Sequence, residues 1–466
     1  MKLVNLPIIF SLLFIYSCSD AISPVDSGLE NKVFHFGNGA EPQGLDPHIV
    51  TGVPEHHLLI GLCEGLTTSN PKGGSSFPGA AQSWDISEDG TTYTFYLQKN
   101  GKWSNGDPVT ADDFVWSWKR ILTPSLGSQY PDMLYYVKGA AEYHTGIIED
   151  FNDVGVKALD DYTLEVTLNN PTPFFLGLLS HYSTWPVHKE TVLKYGAIDD
   201  RNGQWTRPGN FVCNGAFKLK TWELNNKIIV EKNDNYWDSK TVQLNEIHYY
   251  PVANQMTEDR MFRAGQLHVT SSLPSQKCSS YIEEKNPNLR IDPYMGTYFY
   301  RFNVNNPALV DPRVRKALAY SVNRKQIVEK VTKCGQIPAY SFTPPGSNGY
   351  EPDTEIPFNP ELAKQLLVEA GYDESNPFPK LEILFNTNED HRKVALAVQQ
   401  MWQQNLGVDI ELVNQDWKVY LNREMIGDFQ VSRAGWIGDY EDPNTFLDTL
   451  RPNRGNNKTG WENPEY

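Results

Sequence analysis

The stretch Arg433-Ala434-Gly435-Trp436-Ile437-Gly438-Asp439-Tyr440-Glu441-Asp442-Pro443 carries the pattern that decides the fold. It opens at the end of a strand marked by Phe429 and Val431, runs into a bend at the glycines and ends in an acidic patch. A cation, Arg433, stands six residues before an anion, Asp439. Gly435 and Gly438 leave the backbone bare, so a second chain has room to approach. A short extended peptide has an ammonium at one end and a carboxylate at the other. A strand edge can pair with such a chain through the main chain, while side-chain charges hold its two ends. The same residues also fit a plain strand-to-loop passage with two surface charges.

The rest of the chain weighs these readings. At 466 residues it is too long for one core, and two or three domains are expected. An apolar share of 39%, with 12% aromatics and abundant Gly and Pro, fits a loop-rich α/β protein rather than a disordered or membrane-spanning one. A net charge of −16 argues against nucleic acid as a partner.

Lys2 precedes a nearly unbroken apolar run, Leu3 to Tyr16, followed by Ser17 and Cys18. A basic residue, a short apolar run and a small-residue exit make an export signal over residues 1–17, too short to span a bilayer. Cys18 stands where a bacterial lipobox places its lipidated cysteine, although Tyr16 is bulkier than that motif usually carries. A plain secreted protein with an incidental Cys18 is the alternative. Residues 18–32 then read as a polar tether holding the folded part off a membrane. The four remaining cysteines, Cys63, Cys213, Cys278 and Cys334, allow three disulfide pairings, and buried free thiols fit equally well.

Along the folded part, Val33–Phe36 and Tyr93–Leu97 read as strands, and Leu164, Val166 and Leu168 mark another. Thr110 and Asp113 form an imperfect capping box. It precedes a helix with Phe114, Val115, Trp118, Ile121 and Leu122 on one face, an arrangement that suits a core. The passage Asn169 to Pro186 looks like a domain crossing. A hairpin turns at Asn225-Asn226. Later come a strand over Tyr298–Asn303, helices capped by Asp311 and Asn323, and a helix stopped by Gly371. Strands at Leu381–Phe385 and Val408–Val413 flank a helix at Arg392–Asn405. This order predicts a mixed sheet flanked by helices. His56-His57 lack further ligands at helical spacing and read as surface and helix-start residues, not a metal site. No nucleophile elbow, zincin motif, phosphate loop or C-x-x-C pair occurs. Gly37-Asn38-Gly39 lacks the third glycine and following helix of a dinucleotide loop. No enzyme, cofactor or metal is expected.

Gly37-Asn38-Gly39-Ala40-Glu41-Pro42-Gln43-Gly44-Leu45-Asp46-Pro47 resembles the N-terminal signature of extracellular solute-binding proteins of peptide ABC transporters. So do Trp103-Ser104-Asn105-Gly106-Asp107-Pro108-Val109-Thr110-Ala111-Asp112-Asp113-Phe114, Asn214-Gly215-Ala216-Phe217, Asp311-Pro312-Arg313-Val314-Arg315-Lys316-Ala317-Leu318 and the opening stretch. The matches run from about Asn38 to Tyr466. Within the family, Arg433-Ala434-Gly435-Trp436 with Asp439-Tyr440 resembles the oligopeptide-binding branch rather than the dipeptide- or nickel-binding ones.

The resemblance implies a mixed α/β, two-lobe periplasmic-binding-protein fold with an extra domain, hinge-connected by two crossing segments. The expected division is residues 33–63 and 189–295 in lobe 1, 64–188 in the extra domain and 296–466 in lobe 2. The family continues past Tyr466, so lobe 2 is expected to be incomplete and binding weakened or lost if the chain stops there. By resemblance, Asp439 takes a peptide ammonium, and Arg433 and His391 meet its carboxylate. Gly435, Trp436 and Ile437 on one side and Gly52 and Val53 on the other offer main-chain groups. Tyr130, Trp417 and Trp436 resemble pocket walls. The implied partners are short peptides, ABC permease subunits and a membrane reached through the lipid anchor, with the protein exported to the periplasm or cell envelope and monomeric. Three departures stand out. Two cysteines that some relatives join are Gly296 and Ile437 here, an acidic pocket residue is Thr51, and a cation is replaced by Thr332 beside Lys333. A cell-wall peptide or other small ligand is the alternative within the family. A peptide hydrolase, or a signalling or adhesive module, is the alternative outside it.

Overall fold

The computed structural model describes residues 22–74, 76–452 and 454–466. The expected signal segment and Cys18 lie outside them. The strands are β1 (Val33–Gly37), β2 (Thr67–Thr68), β3 (Phe77–Pro78), β4 (Ala81–Ile86), β5 (Thr92–Leu97), β6 (Val156–Asp160), β7 (Thr163–Thr167), β8 (Phe217–Glu223), β9 (Lys227–Lys232), β10 (Glu246–Tyr250), β11 (Gly296–Phe302), β12 (Leu381–Asn386), β13 (Ile410–Gln415) and β14 (Val431–Ile437). Apart from the small β2–β3 pair they form three four-stranded sheets, ordered β1-β10-β9-β8, β4-β5-β7-β6 and β11-β14-β12-β13.

The first two sheets share one apolar core. Leu58, Leu59 and Leu62 of the helix Val53–Leu62 bury beside β8, while Phe114, Trp118 and Ile121 of the helix Ala111–Leu122 join Phe95, Leu164 and Val166. The capping box forms as expected: the Thr110 N–H donates to the Asp113 carboxylate at 2.8 Å. The third sheet has its own core. There Val314, Leu318, Leu367, Val398 and Trp402 from three helices cover Ile383, Phe385 and Val431. Asp311, Asn359 and Asn388 cap those helices with their side chains. The helix Glu389–Leu406 joins the parallel strands β12 and β13 as a crossover. The result is a mixed α/β, two-lobe arrangement, with the β4-β5-β7-β6 sheet as an extra domain sharing the core of the first lobe.

Three expectations change, and one open choice closes. Residues Pro24–Asn31 are not tether but a helix. Its N-cap is Ser23, and it is fastened by the Val25 N–H donating to the Gly265 carbonyl at 2.9 Å. His56 and His57 are half-buried rather than on the surface, and His57 Nδ1 lies 3.0 Å from Asn38 Oδ1. Gly435 marks no bend: β14 runs straight through it and ends at Ile437. The cysteines are not free thiols; Cys63 pairs with Cys213 and Cys278 with Cys334, at Cα separations of 5.3 and 5.2 Å. Gly296 and Ile437 stand opposite each other in the β11–β14 register. Among the described residues, no helix is long and apolar enough to cross a membrane.

Candidate functional site

β14 is a central strand that is paired only in part. Its full length, from Val431 opposite Phe302 to Ile437 opposite Gly296, is hydrogen-bonded to β11. On its other side β12 meets only Val431 and Ser432, and then the two strands part. From Arg433 to Ile437 that edge has no strand partner among the described residues. At about 3.3 Å per residue the open edge is ~13 Å long, enough to match a few residues of extended chain.

The two ends of this edge carry a basic and an acidic side chain, and among the described residues neither is paired with an opposite charge. Arg433 stacks over the Tyr298 ring at 4.7 Å and donates through Nη1 to Asn386 Oδ1 at 3.2 Å. Its buried Nε has no acceptor, and no carboxylate pairs with it among the described residues. His391, whose N–H donates to the Asn388 cap at 3.1 Å, lies 5.6 Å from the same Tyr298 ring. Burial, then the Arg433 charge, lowers its pKa well below 6.5 and leaves it neutral. A guanidinium, a neutral imidazole and the first turn of an 18-residue helix thus converge, a suitable receptor for a carboxylate.

Asp439 stands at the other end, just past the strand. Its N–H donates to Thr445 Oγ1 at 3.0 Å. Its carboxylate is 3.4 Å from His181 Nε2. Burial lowers the pKa of His181 well below its usual value, so this neighbour is uncharged. The Asp439 carboxyl is itself pushed well up, first by burial and then by Asp132. Such a carboxyl lacks a cation, and an ammonium would supply one. Tyr130 packs 4.7 Å from the His181 ring and 6.4 Å from Trp436, walling this end. The buried indole N–H of Trp436 has no acceptor.

The first lobe faces the edge with Gly52 and Val53, at the start of the helix Val53–Leu62. A Cβ on Gly52 would lie 2.8 Å from the Trp417 ring, so the bare backbone and the indole close on each other. Trp417 also stacks on Tyr420 at 5.7 Å. Of the ten expected residues, the structure sets Arg433, Gly435, Trp436 and Ile437 on β14 and Asp439 just past it, with His391 on the same Tyr298 ring as Arg433, Tyr130 beside Trp436, and Gly52 and Val53 at the helix start that meets Trp417. His181, Tyr298 and Asn386 were missed. Tyr298 lies on a strand that its sequence pattern marks, and only its place opposite Gly435 reveals its nearness to the site. His181 sits in the passage read as a domain crossing, and nothing local marks it. Among the described residues no cluster of three His, Cys, Asp or Glu side chains could hold a metal, the His56-His57 pair included.

A cleft between two lobes, lined by main chain and by charges waiting for partners, defines a binding protein of the bilobal solute-capturing class. The chain belongs to the bacterial extracellular solute-binding proteins, family 5, whose Middle region matches residues 77–458. It is 40% identical over 446 residues to the periplasmic oligopeptide-binding protein OppA of Escherichia coli K12, covering 94% of this chain and 80% of that one. The structure of Haemophilus influenzae OppA in complex with RPPGFSPFR superposes with a TM-score of 0.88 at 38% identity, covering 94% of this chain and 86% of the other. The Escherichia coli murein tripeptide-binding protein MppA gives 0.89 at 36% identity, with 94% and 85% covered. The unliganded open form of MppA gives only 0.59 at the same identity, with 94% and 84% covered. The lobes here are thus not spread as in that open form. With these relatives, the chain is a binding protein and not an enzyme.

Proposed function

We propose that this protein captures short peptides between its lobes and delivers them to an ABC permease. The observation that carries this is the open Arg433–Ile437 edge with an unpaired guanidinium at one end and an uncompensated buried carboxylate at the other. A peptide whose ammonium meets Asp439 and whose carboxylate meets Arg433 and His391 runs opposite to β14. It therefore adds to the sheet as an antiparallel strand. Gly435 and Ile437, whose main-chain groups alternate away from β11, pair with it from one side, and Gly52 and Val53 approach from the other. Tyr130, Trp417 and Trp436 wall the side chains. Main-chain pairing is indifferent to side-chain identity, so a range of sequences can be carried. The names of the relatives, OppA and MppA, agree with peptide cargo.

The remaining parts of the reading are lipid anchoring through Cys18, a place in the periplasm or cell envelope, a monomeric state and the lobe division given above. The Cys278–Cys334 bridge bears on that division, because it ties the end of the first-lobe segment to the second lobe at the crossing. A cell-wall peptide is the second reading, favoured by the likeness to MppA.

Native mass spectrometry of protein exported and purified without denaturation tests the proposal. A ladder of bound masses fitting short peptides, displaced by trialanine but not by N-acetyl-trialanine, is the expected result. One discrete mass with amino-sugar or diamino-acid content would favour the cell-wall peptide. A non-peptide mass would overturn both.

A further inference from the structure

Glu55 is a fully buried acid (0% exposed) in the first turn of the helix Val53–Leu62. Its Oε1 accepts from the Gln43 N–H and, at 3.4 Å, from the indole N–H of Trp417. Its Oε2 has no hydrogen-bond partner among the described residues. That second oxygen lies 2.1 Å from where a Gly52 Cβ would be, so acid and indole together fill the space around the bare Cα of Gly52. The helix Val53–Leu62 packs against β8 in the first lobe, and the helix Trp417–Met425 packs against β12 in the second. The contact between Glu55 and Trp417 therefore exists only while the lobes meet. A buried carboxylate without a cation is costly, and the Gln43 N–H, its first-lobe partner, engages only one of its two oxygens.

We propose that Glu55 is the positioning residue on which the two lobes latch: Trp417 donates its indole N–H to Glu55 as the cleft shuts, and this holds Gly52 and Val53 against the ligand strand. The inference rests on the peptide-binding reading for its ligand, though the latch itself is a property of the lobes. It carries a proton signature. Burial raises the Glu55 carboxyl to about 7 in the closed arrangement. The titratable groups around it are Tyr182, raised well above 10 by burial, and His56 on its own helix, lowered by burial. Both are neutral near pH 7. Gln43 and Trp417 complete the surroundings and carry no charge. Parting the lobes admits water and returns the acid toward its ordinary value of 4.5. The closed form then binds the proton more tightly, so closing draws one from solvent onto the free oxygen, and capture strengthens as pH falls from 8 to 6.

Calorimetry with trialanine, in buffers of different ionisation enthalpy, compares the wild-type protein with Glu55→Gln and with Glu55→Met as a second neutral variant. The difference isolates Glu55 from Asp439 and His391. The expected result is proton uptake in the wild type that both variants lack, with an affinity ratio between variant and wild type that shifts by about tenfold from pH 6 to pH 8. Equal uptake in all three proteins overturns the latch. Small-angle scattering without peptide reads closure alone. The wild type should contract from pH 8 to pH 6 while both variants keep one radius, and a wild-type radius that ignores pH overturns the proposal. If no protein binds trialanine at either pH but the scattering responds as expected, the latch stands and the peptide reading falls.

Discussion

Two buried aspartates show how this molecule separates structure from function. Asp46 and Asp439 are both withdrawn from water. Asp46 is gripped by Arg120 through two hydrogen bonds of 2.9 and 2.6 Å, with the His48 N–H adding a third at 3.0 Å. Burial, the largest single influence, raises its pKa, but Arg120 and His48 together outweigh it and hold the carboxyl below its ordinary range. Asp439 has a neutral imidazole where Asp46 has a guanidinium, and its carboxyl is pushed up instead. The first charge is answered inside the chain and locks the 38–50 loop to the helix Ala111–Leu122. The second is left to be answered from outside. A buried charge that the fold does not pair is one to which a ligand can contribute.

The comparison can be broken most forcefully at Arg120. Arg120→Met strands Asp46 in the core and should cost about 3–5 kcal/mol in denaturant unfolding, while the folded fraction still binds trialanine as before. If affinity falls in step with stability, the two aspartates are not separable. Asp439→Asn should do the reverse. Binding of trialanine weakens by about 2–5 kcal/mol in calorimetry, and unfolding stability holds or rises. At the opposite end of the edge, Arg433→Met should cost about tenfold in affinity, roughly 1.4 kcal/mol. The loss should be confined to free-carboxylate peptides, so that the amidated tripeptide binds wild type and variant alike.

The smallest effect is a difference in pH response, read by chemical denaturation between pH 3 and 8. The folded pKa of Asp46 is depressed, so its stabilisation is present above 3.8 and is lost as pH falls through the folded value. That of Asp439 is raised, so its ionised form costs stability above the folded value, and the cost fades as pH falls toward 3.8. Asp439→Asn should therefore gain on the wild type near neutrality and converge with it in acid.

Much of the framework could be read from residue order, because it is local. The box at Thr110 and Asp113, the caps at Asp311 and Asn323 and the stop at Gly371 each act within a turn of the chain, and each is found. The Asn225-Asn226 hairpin likewise joins β8 to β9. The charges of the candidate site were legible at Arg433 and Asp439 because both flank one strand. What could not be read depends on segments far apart in sequence. Gly435 suggests a bend by itself, and only its pairing with Tyr298 shows a continuous strand. His181 reaches Asp439 from 258 residues away, so no spacing rule could join them. The pairing of Cys63 with Cys213 and of Cys278 with Cys334 needed the fold, since four cysteines leave three choices. His56 and His57 looked exposed because a helix start usually is, but the 38–50 loop and Tyr182 lie over them.

The parting of β12 from β14 after Ser432 also bears on how the protein survives in a crowded compartment. A row of free backbone donors and acceptors is what drives edge-to-edge aggregation, and proteins commonly blunt such edges with lysine, proline or a bulge. Here the edge carries glycine and tryptophan, with no such guard from Gly435 to Ile437. Its protection is the opposite lobe, which brings Gly52 onto Trp417 and Tyr130 toward Trp436. To pair with the edge, a partner strand has to lie between these walls. The same walls that shape the cleft thus stand guard over an adhesive strand, in place of a lysine, a proline or a bulge.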